Sequence, residues 1–320
     1  MRVLFMGTPD FAVPTLQALI DSEHEVIGVV TQPDKPKGRG GKMQCTPVKE
    51  LAVEAGLPVY QPARVRDEAF LFELRRLYPD VIVVVAFGQI LSKEILEIPE
   101  YGCLNVHASL LPKLRGAAPI QWSVIQGDRE SGVTIQQMDE GIDTGDILMA
   151  QTYVLDEKET GGSLFERLSL LGGPMILQVM EDARKGTLHP VPQNDEEHTY
   201  AKMLTKEMGE MDFAKSAVEL ERLIRGLNPW PSAYTFLHGK MLKVWEAEVV
   251  PEERISEVER YGQPGVILAV EKDSVIVQTG EGALKLLSVQ LEGKKRMDAS
   301  AFLRGYEVEV GEFLGKGAGA

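Results

Sequence analysis

CLNVHASLLPKLRGAAPIQW, residues 103–122, combines a strand, a break, a glycine turn and the start of a helix. Cys103 to His107 reads as a strand. Ser109 to Pro112 breaks it, a basic turn containing Gly116 follows, and a helix begins near Ala118. Asn105 and His107 stand two residues apart, and side chains at i and i+2 of a strand share a face. An amide and an imidazole therefore point together where a strand runs out. In open α/β sheets the carboxyl ends of the strands are where ligands bind.

Working outward, RVLFM (2–6) is apolar and strand-like, and GTPD (7–10) turns the chain. A helix is expected over 11–21, with Pro14 confined to its first turn. EVIGVVT (25–31) is a second strand, so the interval makes a βαβ unit with parallel pairing. A helix over 48–55, a short strand at 58–60 and a helix over 67–78 lead to VIVVVAF, residues 81–87. That uninterrupted β-branched run is the pattern of a central parallel strand buried on both faces. Downstream come a helix at 118–127, a strand at 132–138, the acidic loop DEGIDTGD (139–146), a returning strand at 147–155 and a helix over 162–183. The expected architecture is α/β, a Rossmann-like, mostly parallel open sheet with helices on both faces. The first turn is GTPDF rather than G-x-G-x-x-G, so little speaks for a dinucleotide site.

From residue 186 periodicity is lost among prolines and charges. The expected division is a first domain over 1–188, a linker over 189–207 and a second domain over 208–320. In the last part a helix at 215–227 and NPWPSA precede short alternating runs at 232–237, 241–249, 264–270, 274–279 and 284–290. Closely spaced short strands suggest a small barrel or sandwich.

Composition narrows the function. The longest apolar run, Val81 to Phe87, is far too short to span a bilayer. The start, MRVLFMGTPDF, has no signal-peptide pattern, so a cytoplasmic protein is expected. Two cysteines, Cys45 and Cys103, offer no zinc spacing. The formal net charge of −14 argues against a nonspecific nucleic-acid coat. It leaves room for a local patch. Lys35, Lys37, Arg39, Lys42 and Lys49 are the only charges between 35 and 49. They lie in or just beyond the loop 32–47, whose three prolines and three glycines argue against helix or strand.

If Asn105 and His107 do chemistry, a third group is needed. The loop at 139–146 offers Asp139, Glu140, Asp143 and Asp146. It follows a strand that could lie beside the Asn105 strand, so its acids could reach the same edge. A carboxylate beside His107 would fix its tautomer. An amide and an imidazole aimed at one point suit a developing oxyanion. That set fits acyl transfer with a nucleophile supplied by the substrate. Ser109 lacks a G-x-S-x-G context, and Cys103 reads as core. The acids do not have EF-hand spacing, and no metal is expected.

NVHASLLPKLRGAAPIQW closely resembles the signature of the folate-dependent formyltransferases. RVLFMGTPDFAVP, VVTQPDKPKGRG, MDEGIDTGD and NPWPSA resemble, in order, the branch of that family that acts on tRNA. The resemblance implies catalytic roles for Asn105, His107 and Asp143, and a folate site lined by Ser109, Leu110, Leu111 and Pro112. It implies 10-formyltetrahydrofolate as donor and the methionine amino group of initiator methionyl-tRNA as acceptor, with no metal. Arg39 matches the family's key arginine, and Lys35, Lys37 and Lys42 join it as expected tRNA contacts. The resemblance also implies a smaller C-terminal β-barrel, OB-like, that holds tRNA, in a protein expected to be a monomer. Residues 207–320 carry 14 Lys and Arg against 19 Asp and Glu, so a tRNA surface there must be local; Lys294, Lys295 and Arg296 are candidates. Ala108 stands where the family often has glycine. A formyltransferase acting on a UDP-amino sugar is the nearest rival reading, and a non-catalytic RNA-binding protein on the same scaffold is a remoter one.

Overall fold

The computed structural model describes residues 1–37, 42–251 and 263–316. The chain divides into two compact units, one of residues 1–119, 130–154 and 165–201, the other of residues 120–129, 155–164 and 202–320.

The first unit is built on a seven-stranded sheet. Its strands in chain order are β1 (Arg2–Gly7), β2 (Glu25–Val30), β5 (Val59–Tyr60), β6 (Val81–Val85), β7 (Cys103–His107), β9 (Glu130–Gln137) and β10 (Ile147–Val154). Outside it lie β3 (Lys35–Lys37), β4 (Lys42–Gln44), β8 (Arg115–Gly116) and β11 (Tyr200–Ala201). The spatial order is β10-β9-β7-β6-β1-β2-β5. Pairing is parallel from β7 to β5 and antiparallel at β7/β9 and β9/β10. Every residue of β6 is buried, as its apolar run requires. Phe70, Leu71 and Leu74 of the helix Glu68–Leu77 pack with Leu4, Met6, Ile82 and Val84 on one face. The helices Val13–Ile20 and Gly172–Lys185 pack against each other, so closely that a Cβ on Gly173 would sit 2.7 Å from Ala18 Cβ.

Two expectations need correcting. The loop 32–47 is not free of strand. Lys35–Lys37 pairs antiparallel with Lys42–Gln44, and Pro36 is tolerated because a two-stranded ribbon is all edge. The single helix expected over 162–183 is two, Gly161–Ser169 and Gly172–Lys185. The apolar spacing runs through both, but Leu171 N–H closes a tight turn on Leu168 O, and two glycines open the second helix.

In the second unit the strands are β12 (Ala233–Leu237), β13 (Lys240–Val249), β14 (Ile267–Val270), β15 (Val275–Gln278), β16 (Ala283–Leu291) and β17 (Met297–Asp298). They form an antiparallel sheet ordered β12-β13-β16-β15-β14, with β17 beside β16. The chain end ties its two edges together. Leu314 N–H bonds Gly265 O and Ile267 N–H bonds Glu312 O on the β14 side, while Gly315 N–H bonds Phe236 O on β12. Those bonds link the β12 and β14 edges and agree roughly with the OB-like barrel expected. The helix Ala217–Gly226 starts with a capping box between Ser216 and Glu219 and sends Leu220 and Ile224 into the barrel core.

Candidate active site

β7 places Asn105 and His107 on one face, as their spacing predicts, and both are buried. β9 runs antiparallel beside it, with Gln136 opposite Asn105 and Thr134 opposite His107. Because of that direction, the acidic loop leaves β9 at the amino end of β7, not at its carboxyl edge. Asp143 reaches the pair by folding back over the face of the two strands. Its Oδ1 accepts from Asn105 Nδ2 at 3.3 Å and Gln136 Nε2 at 2.9 Å, and lies 3.5 Å from His107 Nδ1. Its Oδ2 accepts from the Gly116 backbone N–H at 2.9 Å.

This geometry needs unusual backbone at two points. Asp143 has φ +55°, a left-handed conformation that aspartate tolerates better than most residues. Gly116 has φ +107°, and a Cβ there would meet Ala201 O at 2.8 Å. Glycine is thus required where the chain turns its N–H onto the carboxylate.

His107 is not oriented by Asp143 alone. Its Nε2 lies 3.0 Å from Leu114 O. A carbonyl can only accept, so that nitrogen carries the proton, and the backbone of the basic turn sets the tautomer. Nδ1 faces the carboxylate at a distance too long for a firm hydrogen bond.

The turn Ser109–Pro112 follows directly on the triad. Ser109 Oγ donates to Lys113 O at 2.7 Å, and Leu111 N–H donates to Thr134 Oγ1 at 3.2 Å. Thr134 Oγ1 in turn donates to Ser109 O at 2.7 Å, which pins the turn to β9. Ser109 and Leu111 are therefore spent on structure, while Leu110 and Pro112 keep half-exposed apolar edges. Cys103 is fully buried, and burial pushes its thiol up to about 12, which removes it as a nucleophile.

The basic segment stands apart from these residues. Lys35 is exposed on β3, and Lys37 and Lys42 belong to the paired ends of the ribbon. Arg39 lies outside the described residues. The base of the ribbon is clamped: Lys49 Nζ donates to Asp34 Oδ2 at 2.6 Å and to Gln61 Oε1 at 2.8 Å, and Gln61 Nε2 donates to Asp34 Oδ1 at 2.8 Å. The Lys49 ammonium, then the Gln61 amide, hold the Asp34 carboxyl below its ordinary range, and Asp34 raises Lys49 in return.

Sequence reading missed Gln136. Its signal was a buried strand that places polar Thr134 and Gln136 at i and i+2 in GVTIQQM. Gln136 Oε1 is buried with no hydrogen-bond partner among the described residues. Among the described residues, no cluster of three or more His, Cys, Asp or Glu side chains could hold a metal ion, and no helix is long and apolar enough to cross a membrane.

Comparison with known proteins matches residues 1–180 to the formyl transferase family and residues 203–307 to the formyl transferase C-terminal domain. A methionyl-tRNA formyltransferase of Lachnospira eligens is 58% identical over 99% of this chain and 100% of its own length. One of Clostridioides difficile is 48% identical over 98% and 100%. Among solved structures, the sugar 3N-formyl transferase WlaRD aligns with TM-score 0.65 at 18% identity, covering 92% of this chain and 99% of its own. HypX from Aquifex aeolicus, solved with tetrahydrofolic acid, aligns with TM-score 0.61 at 20% identity, covering 98% of this chain and 51% of its own. At those identities the structural likeness shows the fold alone.

Proposed function

The chain belongs to the formyltransferase family, and from that premise we propose how its site works. Its activity is formyl transfer to methionyl-tRNA, the reaction named for relatives that match it from end to end. Sugar formyltransferases share the fold at far lower identity.

In the reading we favour, the donor is 10-formyltetrahydrofolate and the acceptor is the neutral α-amino group of methionine on initiator tRNA. The amine adds to the formyl carbon and the carbonyl electron pair moves onto oxygen. The carbon–N10 bond then breaks, and N10 takes up the proton that the amine gives up. The oxyanion is the charge that must be stabilised, and donors fixed in advance do this best. Asn105 Nδ2 has two hydrogens, of which one is directed to Asp143. The other serves the oxyanion. His107, tethered through Leu114 and faced by Asp143, stands beside that amide as the second polar group at the reacting carbonyl. The convergence of Asn105, His107 and Asp143 on one point of the β7 face is the observation that carries this reading. Ser109–Pro112 would line the donor site, Leu110 and Pro112 through their exposed apolar edges and Ser109 and Leu111 by holding the turn.

The division of labour proposed along the expected boundaries gives residues 1–188 to chemistry and 208–320 to holding tRNA, with 189–207 between them. Lys35, Lys37, Arg39 and Lys42 would meet the acceptor end. On the barrel, Arg296 lies over the Trp245 ring at 5.3 Å and Lys243 at 5.7 Å, with Lys294 and Lys295 exposed close by in sequence. A tryptophan flanked by cations is a surface suited to nucleic acid despite the net acidic background. A cytoplasmic monomer completes the proposal.

The test is a formyl-transfer assay with 10-formyltetrahydrofolate and purified initiator and elongator methionyl-tRNA. Transfer to the initiator, with much slower transfer to the elongator, is expected. Equal transfer to both would remove initiator selectivity from the reading. Transfer to a UDP-amino sugar and to neither tRNA would overturn it.

A further inference from the structure

Residues 191–201 look like connecting chain in the sequence, yet they form a strap across the site. Val191 pairs with Ile147 through two backbone hydrogen bonds of 2.8 and 2.9 Å at the start of β10. Gln193 follows, and its amide is used to capacity. Nε2 donates to Asp143 O at 2.9 Å and to Gly145 O at 2.7 Å. Oε1 accepts from Arg115 Nε at 3.0 Å and Nη2 at 2.8 Å. Arg115 offers only donors, so the amide oxygen must face it and the NH₂ must face the loop. Asp195 Oδ1 accepts from Arg115 Nη2 at 2.8 Å, which fixes the guanidinium. Further on, Thr199 Oγ1 accepts from Leu114 N–H at 2.8 Å and Thr199 O accepts from Arg115 N–H at 2.9 Å, before β11 pairs with β8. The strap thus grips the loop that presents Asp143 at one end and the turn that tethers His107 at the other.

We propose that Gln193 is a positioning residue for the reaction, with Arg115 orienting its amide. By binding the carbonyls of Asp143 and Gly145 it keeps the Asp143 carboxylate over Asn105 and His107. Asp143 sits in left-handed backbone, and such conformations persist only where the surroundings over-determine them. Gln193 supplies two of the bonds that do so. Gly145 adds a constraint of its own, since a Cβ there would lie 1.7 Å from Gln137 O and only glycine fits.

The proposal rests on the formyl-transfer reading for its kinetic readout, and its test has a second readout that does not. Gln193→Ala and Gln193→Glu are made in the full chain. Glutamate keeps the size and the acceptor for Arg115 but cannot donate to two carbonyls. Since misplacement by about 1 Å costs on the order of 100-fold in rate, kcat is expected to fall ~10–100-fold in both variants. KM for the folate donor and for methionyl-tRNA should stay within about 3-fold, because neither substrate is held by Gln193. The ring ¹⁵N resonances of His107, measured without substrate, should shift in both variants, and the pH profile of kcat should move with them. Wild-type kcat and unshifted ring resonances in Gln193→Glu would overturn the proposal, showing that Gln193 only pairs with Arg115. If Gln193→Ala does not fold, Gln193→Glu decides alone. If the wild-type protein transfers no formyl group, the functional reading fails, while the His107 resonances still decide whether Gln193 sets the geometry.

Discussion

Asp143 is the residue on which the site turns, because its carboxylate accepts from an asparagine, a glutamine and a backbone N–H while facing an imidazole. Asp143→Asn keeps the shape and removes the charge. Its new NH₂ must face either the Gln136 amide or the Gly116 N–H, both donors, so one contact becomes repulsive. A fall in kcat of roughly 10²–10³ is expected, the scale on which loss of one preorganised electrostatic group acts. Steady-state kinetics check this, and a loss confined to KM would contradict it. At this scale the sequence was informative where chemistry depends on spacing. Asn105 and His107 could be placed on one face because strand geometry has period two. Gln136 was not singled out because its partner depends on the β7/β9 register, which no local pattern encodes. Gln193 had no signal at all, since it lies in an aperiodic stretch and its own side-chain hydrogen bonds are all to distant residues.

Among the elements, the β3–β4 ribbon and its clamp carry the clearest consequence. Thr31 and Thr46 join the two sides of the ribbon's base at 2.8 Å, and Asp34, Lys49 and Gln61 lock it. Lys49→Ala should loosen the ribbon without touching the triad. A KM for tRNA raised about 3–10-fold, with kcat and the folate KM nearly unchanged, is the expected result, since positioning of a remote binding element is felt as uniform binding. An unchanged tRNA KM would show that the clamp does not serve the ribbon. The same clamp has a pH signature. The folded Asp34 carboxyl is held below its ordinary value by Lys49 and then Gln61, so its contribution is present above that ordinary value and lost as pH falls through the lowered one. A ¹³C carboxyl titration of Asp34 should therefore have its midpoint below that of an unperturbed aspartate. Element boundaries were largely legible. The apolar run of β6 and the alternation of β16 read directly. The ribbon was not, because prolines and glycines argue against strand except at an edge, and an edge is known only once the fold is.

At the scale of the molecule, the protein is acidic, at −14, and must bind RNA through local charge. Affinity for tRNA should fall steeply with salt, and each lost phosphate contact should lower the slope by about 0.7–0.9. Lys294→Ala with Lys295→Ala is expected to reduce the slope of log K against log salt by up to about 1.4–1.8 and leave kcat intact. An unchanged slope would place the RNA elsewhere on the barrel. The mostly parallel sheet followed from strand patterns, which for the second domain left barrel and sandwich open; the family resemblance pointed to a barrel, and its closure by residues 312–315 could not be read, because that segment is too short to read as a strand. In the proposed mechanism Asn105, His107 and Asp143 stabilise the charge that develops in formyl transfer to methionyl-tRNA. The most direct measurement compares wild type with His107→Ala, using kcat for formyl transfer and the Kd for methionyl-tRNA from the same preparations. The expected result is a kcat lower by at least about 100-fold, in line with the loss of one oxyanion donor, and a Kd within about 2-fold. Equal turnover in the two proteins would contradict it.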